Sequence, residues 1–186
     1  MRRRDDEKQR RIKDAVMQLI LEEGFAGASI SKIAKRAGVS PATVYIYYEN
    51  KDEMLRELYL EYAEDSFTYL TEHTDPEMDA SELIETLMRS YYAYIHEHRE
   101  IYSFVDQFSH CPALSDRCSA QSTSCALFRL IDEKKREGEI RNVSDDSIAT
   151  VLFYPVKAVA MMNRGSGKDS DILDEVIELI KQALLL

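Results

Sequence analysis

Ser29-Ile30-Ser31-Lys32-Ile33-Ala34-Lys35-Arg36-Ala37-Gly38, followed without a gap by Val39-Ser40-Pro41-Ala42-Thr43-Val44-Tyr45-Ile46-Tyr47-Tyr48-Glu49-Asn50, is the stretch on which the fold turns. Ile30, Ile33, Ala34 and Ala37 share one face at helical spacing, Ser29 is a natural N-cap, and Gly38 is free to take the left-handed backbone that ends a helix. A second helix starts almost at once, with Ser40 as cap and Pro41 in the first turn, where a missing N–H costs nothing. Two short helices joined by a three-residue turn containing glycine form a helix-turn-helix.

Helical signals continue outward on both sides. Upstream, Ile12, Ala15, Val16, Leu19 and Ile20 recur at three- and four-residue spacing until Gly24 stops the pattern. Downstream, Asn50 caps a helix through Met54, Leu55, Leu58, Tyr62 and Leu70, with Glu53 placed to complete a reciprocal cap. Thr74-Asp75-Pro76 breaks it. The pattern then predicts helices over 81–98, 100–108, 112–137 (ended by Gly138), 145–163 (with Pro155 inside) and, after Gly165-Ser166-Gly167, from Asp169 onward. The expected class is all-α, about nine helices, divided into a domain over 1–51 and a larger helical domain over 52–186.

Charge is segregated along the chain. The net charge is -10, yet residues 1–51 hold 11 Lys and Arg against 7 Asp and Glu, while the remainder holds 13 against 27. A basic head on an acidic body suits a protein of which one end meets phosphate and the other stays off it. No apolar run approaches the roughly 20 residues of a membrane span, and the N-terminal Met-Arg-Arg-Arg followed by acids does not read as a signal peptide, so a cytoplasmic protein with no membrane partner is expected. Three cysteines without a CxxC pair argue against a disulfide framework or structural zinc.

The short second helix has a physical use: its exposed side chains can enter a major groove about 12 Å wide while its neighbour braces it. Ser40, Pro41, Ala42 and Thr43 permit close approach, and Thr43 has a hydroxyl and a methyl with which to read a base edge. Tyr45 and Tyr47 lie about 200° apart on a helix, so at least one of Tyr45, Tyr47 and Tyr48 must be exposed. Lys51 at a helix N-terminus opposes the dipole and makes better sense beside an anion such as phosphate, although Asp52 and Glu53 can satisfy the same helix end.

Gly24-Phe25, Ser29 to Ala34, Ala37 to Ser40 and Thr43 to Lys51 together resemble the signature of the tetracycline-repressor family, over about residues 10–55. Ala42, where many members carry Gly, and Tyr48, where Phe is usual, are mild departures. The resemblance implies double-stranded DNA as partner, read as a near-palindromic operator, with Ser29, Thr43, Tyr45, Tyr47 and Lys51 as contacts and Tyr48 packed inside. It further implies a non-enzymatic regulator whose divergent helical body binds a small-molecule effector and whose last two helices form a homodimer.

Within that expectation, Met88, Tyr91, Tyr92, Tyr102, Phe108, Cys125 and Phe128 are the candidate pocket lining, and Leu152, Val156, Val159, Ala160, Ile172, Val176 and Ile180 the candidate dimer seam. Aromatic stripes are equally ordinary core. Cys111, Cys118 and Cys125 recur every seven residues, but two helical turns separate Cα atoms by about 10.5 Å, beyond disulfide reach. His96 and His98 diverge on a helix, so no metal is expected, and no cofactor either. Gly165-Ser166-Gly167-Lys168 lacks the residues of a phosphate loop and reads as a linker. The chain is thus expected to be a ligand-released repressor, with an activator or thiol-sensing regulator of the same fold as the alternative.

Overall fold

The structure, a computed structural model, describes residues 2–108, 122–162 and 168–186. Among them nine α-helices follow one another: α1 (Arg2–Gly27), α2 (Ile30–Ala37), α3 (Pro41–Tyr47), α4 (Lys51–Glu72), α5 (Ala80–Glu97), α6 (Arg99–Phe108), α7 (Ser122–Glu137), α8 (Asp145–Ala160) and α9 (Lys168–Leu184). Extended pairing among the described residues is an isolated antiparallel bridge between Ile140 and Leu185. The chain forms two compact units, residues 1–63 with 100–119 and residues 64–99 with 120–186. This division differs from the expected boundary after residue 51, because α4 supplies Met54, Leu55, Leu58, Tyr59 and Tyr62 to the core of the first unit before its last turns enter the second.

Local chemistry sets the helix ends of the first unit. Gly24 adopts φ 71° and ψ 178°, so the regular run of α1 is interrupted where the hydrophobic pattern ends. Ser29 accepts a hydrogen bond from the Lys32 N–H, and Gly38 at φ 65° closes α2, with the Val39 N–H reaching the Ala34 carbonyl at 3.0 Å. Ser40 caps α3 from its Oγ to the Thr43 N–H at 3.1 Å, and the Asn50 side chain accepts the Glu53 N–H at 2.8 Å to start α4. Glu53 itself holds Arg56 one turn on. The core beneath is continuous: Ile12, Val16, Leu19 and Ile20 of α1 pack with Ile33 and Ala34 of α2, Val44 of α3, and Tyr62 and Phe104, whose rings meet edge to face.

In the second unit, α5 begins at Ala80, one residue before the expected start. Asp79 and Glu82 form a complete capping box there. Leu83, Ile84, Leu87 and Met88 of α5 are buried with Leu127 and Ile131 of α7, Ile148, Leu152 and Val156 of α8, and Leu173 and Ile177 of α9. Ion pairs stitch the rim of this core: Arg89 reaches Glu85 at 2.9 Å and Asp174 at 2.7 Å, and Lys181 reaches Glu85 at 2.5 Å. Helix α8 continues through Pro155, which leaves the Val151 carbonyl without its usual donor. No helix among the described residues is long and apolar enough to cross a membrane.

Candidate nucleic-acid interface

Helix α3 contains seven residues and no charge. Its inner side is fixed by Val44 and, at the cap, Tyr48, which are 0% and 2% exposed. Its outer side presents Pro41, Ala42, Tyr45 and Ile46 to solvent, with Thr43 half-buried. Of the large apolar side chains, Ile46 is 78% exposed and Tyr45 56%. A chain folding only to bury apolar surface would not place isoleucine there, since full burial of such a side chain is worth about 1.5–3 kcal/mol.

Each predicted contact residue has a definite place. The hydroxyl of Ser29 caps α2, and those of Ser40 and Thr43 lie 2.9 Å apart, so all three face the exposed side already engaged in local bonds. Tyr47 is half-buried and donates its hydroxyl to Asp5 Oδ1 at 2.6 Å, a bond that raises the phenol's pKa. Lys51 Nζ donates to the Phe25 carbonyl at 2.7 Å and sits 4.2 Å from the centre of the Phe25 ring, itself 47% exposed. Lys51 therefore answers the helix dipole of α4 with a partner from α1. Tyr48 packs inside, and burial pushes its pKa up to about 12. Among the described residues its hydroxyl makes no well-formed hydrogen bond. Gln9 lies near enough to pull the pKa down in part, but burial dominates.

Helix α2 carries the neighbouring cations. Lys32 meets Glu23 at 2.5 Å, Arg36 meets Glu22 at 2.6 Å and holds that carboxyl below its usual range, and Lys35 is exposed. The residue overlooked at the sequence level is Ile46. A signal was present: Val44 to Tyr48 are five consecutive bulky residues, and a helix rotating about 100° per residue cannot turn all of them inward.

The other predicted sites belong mostly to the second unit. Met88 is fully buried there, while Tyr91, Tyr92 and Phe128 are half-buried, with Tyr91 edge to face on Phe153 at 5.0 Å. Tyr102 is buried but belongs to the first unit. The side chains of Phe108 and Cys125, with Cys111, Cys118 and the segment Gly165-Ser166-Gly167, lie outside the described residues. A polar group not placed in the expected pocket is Tyr94: it is 3% exposed, its hydroxyl has no hydrogen-bond partner among the described residues, and burial together with Asp65 raises its pKa.

The residues of the expected dimer seam lie mostly inside the second unit. Leu152, Val156, Val159, Ala160 and Ile180 are each at most 6% exposed in the single chain, and Ile172 and Val176 pack half-buried against the same core. Their apolar stripes contribute to the second unit's own interior, with Ile172 and Val176 keeping part of their surface exposed. The exposed apolar side chains of these helices are instead Tyr154 at 57% and Leu179 at 64%. Leu179 lines an open hollow of about 490 Å³ with Asp174, Glu175, Glu178 and Gln182.

Comparison with known proteins agrees with the helix-turn-helix geometry. The family model described as "Bacterial regulatory proteins, tetR family" matches residues 12–58. An uncharacterized HTH-type transcriptional regulator of Haemophilus influenzae is 23% identical over 170 residues, 89% of this chain and 87% of that protein. The fatty acid metabolism regulator protein of Bacillus subtilis is 44% identical over 48 residues, 26% of this chain and 25% of its own length. Among solved structures, a TetR family transcription regulator from Marinobacter aquaeolei superposes with a TM-score of 0.84 at 26% identity, covering 100% of this chain and 99% of that one. A TetR-family regulator from Haemophilus influenzae gives 0.83 at 22% identity with both chains fully covered.

Proposed function

Since the chain belongs to the tetracycline-repressor family of DNA-binding transcriptional regulators, we propose that it is a dimeric repressor which docks α3 in the major groove and leaves its operator when the second unit takes up a small molecule. The observation that carries the docking is the two-sidedness of α3: Val44 and Tyr48 anchor it, while Ala42, Tyr45 and Ile46 stand outward. Phosphate contacts from Ser29, Tyr47 and Lys51, with Lys35 beside them, would set its register. Ser40, Pro41, Ala42, Thr43 and Tyr45 would meet the base edges.

Two reading heads related by a two-fold axis require half-sites about one helical turn apart, hence a near-palindromic operator. The exposed Tyr154 and Leu179 of α8 and α9 are the surface we assign to the partner chain. The effector site is assigned to the second unit, in the region of Met88, Tyr91, Tyr92 and Phe128. The unpartnered Tyr94 hydroxyl supports a ligand with a hydrogen-bond acceptor, because an unmade buried bond costs about 1–3 kcal/mol that such a ligand recovers. The acidic body favours an apolar ligand carrying positive charge.

An effector works only through unequal affinity for the DNA-competent and DNA-incompetent states. Linkage then requires operator to weaken effector binding by the factor by which effector weakens operator binding. Titration calorimetry with an effector found by screening apolar cations, run with and without operator duplex, is expected to return matching factors of about 5–150. Equal affinity in both runs would remove the inducible-repressor reading and leave constitutive binding.

A further inference from the structure

Ala42, Tyr45 and Ile46 occupy one face of α3, since positions i, i+3 and i+4 fall within about 100° of each other on a helix. All three are exposed, Ile46 most of all at 78%. The face has a single hydrogen-bonding group, the Tyr45 hydroxyl. Around it, Lys35 of α2 is exposed, and Lys32 and Arg36 hold their cationic ends at the surface against Glu23 and Glu22. An apolar strip flanked by the exposed Lys35 and by two cations paired with carboxylates fits the floor of a groove walled by phosphates better than it fits open water.

We propose that Ile46 is a specificity-determining residue that selects thymine at one position of each half-site through the C5 methyl group. The inference rests on α3 being the helix that enters the major groove. Thymine alone among the four bases places a methyl there. Against cytosine, Ile46 would meet only a C5–H where thymine has its methyl, and against a purine it would cover the polar N7 edge without supplying a partner. Selection therefore combines apolar packing on the thymine methyl with an unmade hydrogen bond imposed on purines.

The test begins with an operator selected from random duplex DNA by the wild-type protein, in which each thymine is replaced in turn by uracil, removing the methyl and nothing else. Wild-type affinity is expected to fall about three- to tenfold at one position per half-site. Ile46→Ala, whose folding is checked by circular dichroism, is expected to bind the thymine and uracil duplexes equally at that position and to keep the wild-type dependence elsewhere. An identical uracil profile for both proteins would overturn the assignment. So would a fall in the light-scattering mass of Ile46→Ala, which would place the residue at a contact between chains. If no preferred sequence emerges, or if Thr43→Val and Tyr45→Ala leave the preference untouched, α3 is not the reading helix and both readings fail. If those variants shift the preference while the uracil profiles coincide, only the role of Ile46 is lost.

Discussion

The Tyr47 hydroxyl and the Asp5 carboxylate are 2.6 Å apart, joining the end of α3 to the start of α1 across 42 residues of sequence. The phenol proposed as a phosphate donor thus already has an anionic acceptor. Binding DNA requires exchange of one acceptor for another, beside a carboxylate that repels the incoming phosphate. Asp5→Asn is expected to tighten operator binding several-fold at low salt. Tyr47→Phe should bind more weakly than wild type and remove most of that gain when the two changes are combined. Fluorescence anisotropy across a salt series measures all four proteins, and equal affinities for Asp5→Asn and wild type would show that the pair does not compete with phosphate.

Tyr48 gives a pH dependence with a defined sign. Its phenol ionises near 10 in an unfolded chain and at about 12 in the folded one, where burial disfavours the charge. Below pH 10 both states keep the proton and the neutral form contributes fully. Between 10 and 12 the unfolded chain releases it first, so stability falls as pH rises. Tyr48→Phe is expected to flatten the stability curve over that window by about 2 kcal/mol, and also to spare the core an unpartnered hydroxyl at neutral pH. Urea denaturation at a series of pH values reads this directly; parallel curves for the two proteins would refute it.

Leu179 offers the test of assembly. An exposed leucine within an open hollow on α9 gains from a second copy what it cannot gain alone. Leu179→Glu is expected to halve the mass seen by light scattering at micromolar concentration without altering the helical signal. A dimer that persists in this variant would move the interface elsewhere.

Helix ends were legible because the chemistry that sets them is local. Ser29, Gly38, Ser40 and Asn50 cap the helices that their types and positions announce, each through a bond spanning a few residues. Asp79 was missed because the break at Thr74-Asp75-Pro76 is followed by several polar residues able to cap, and only the reciprocal bond with Glu82 distinguishes one of them. What resisted reading was the identity of the opposing surface. Periodicity puts Val156 and Ile180 on apolar faces, but it cannot say whether the same chain or another covers them. Likewise Lys51 and Tyr47 look like free donors until Phe25 and Asp5, distant in sequence, arrive beside them.

Helix α3 and its two caps divide their labour in a way that bears on how such a regulator changes over generations. Ser40 caps the helix, Val44 and Tyr48 moor it, and none of these depends on the identity of Ala42, Tyr45 or Ile46. Substitutions at the outward positions alter what the helix meets while leaving what holds it in place, and exposed positions away from caps and core usually shift stability by no more than about 0.5 kcal/mol. On the proposed reading of DNA by α3, a duplicated copy of this gene can therefore acquire a different target sequence one substitution at a time, with a folded protein at every step.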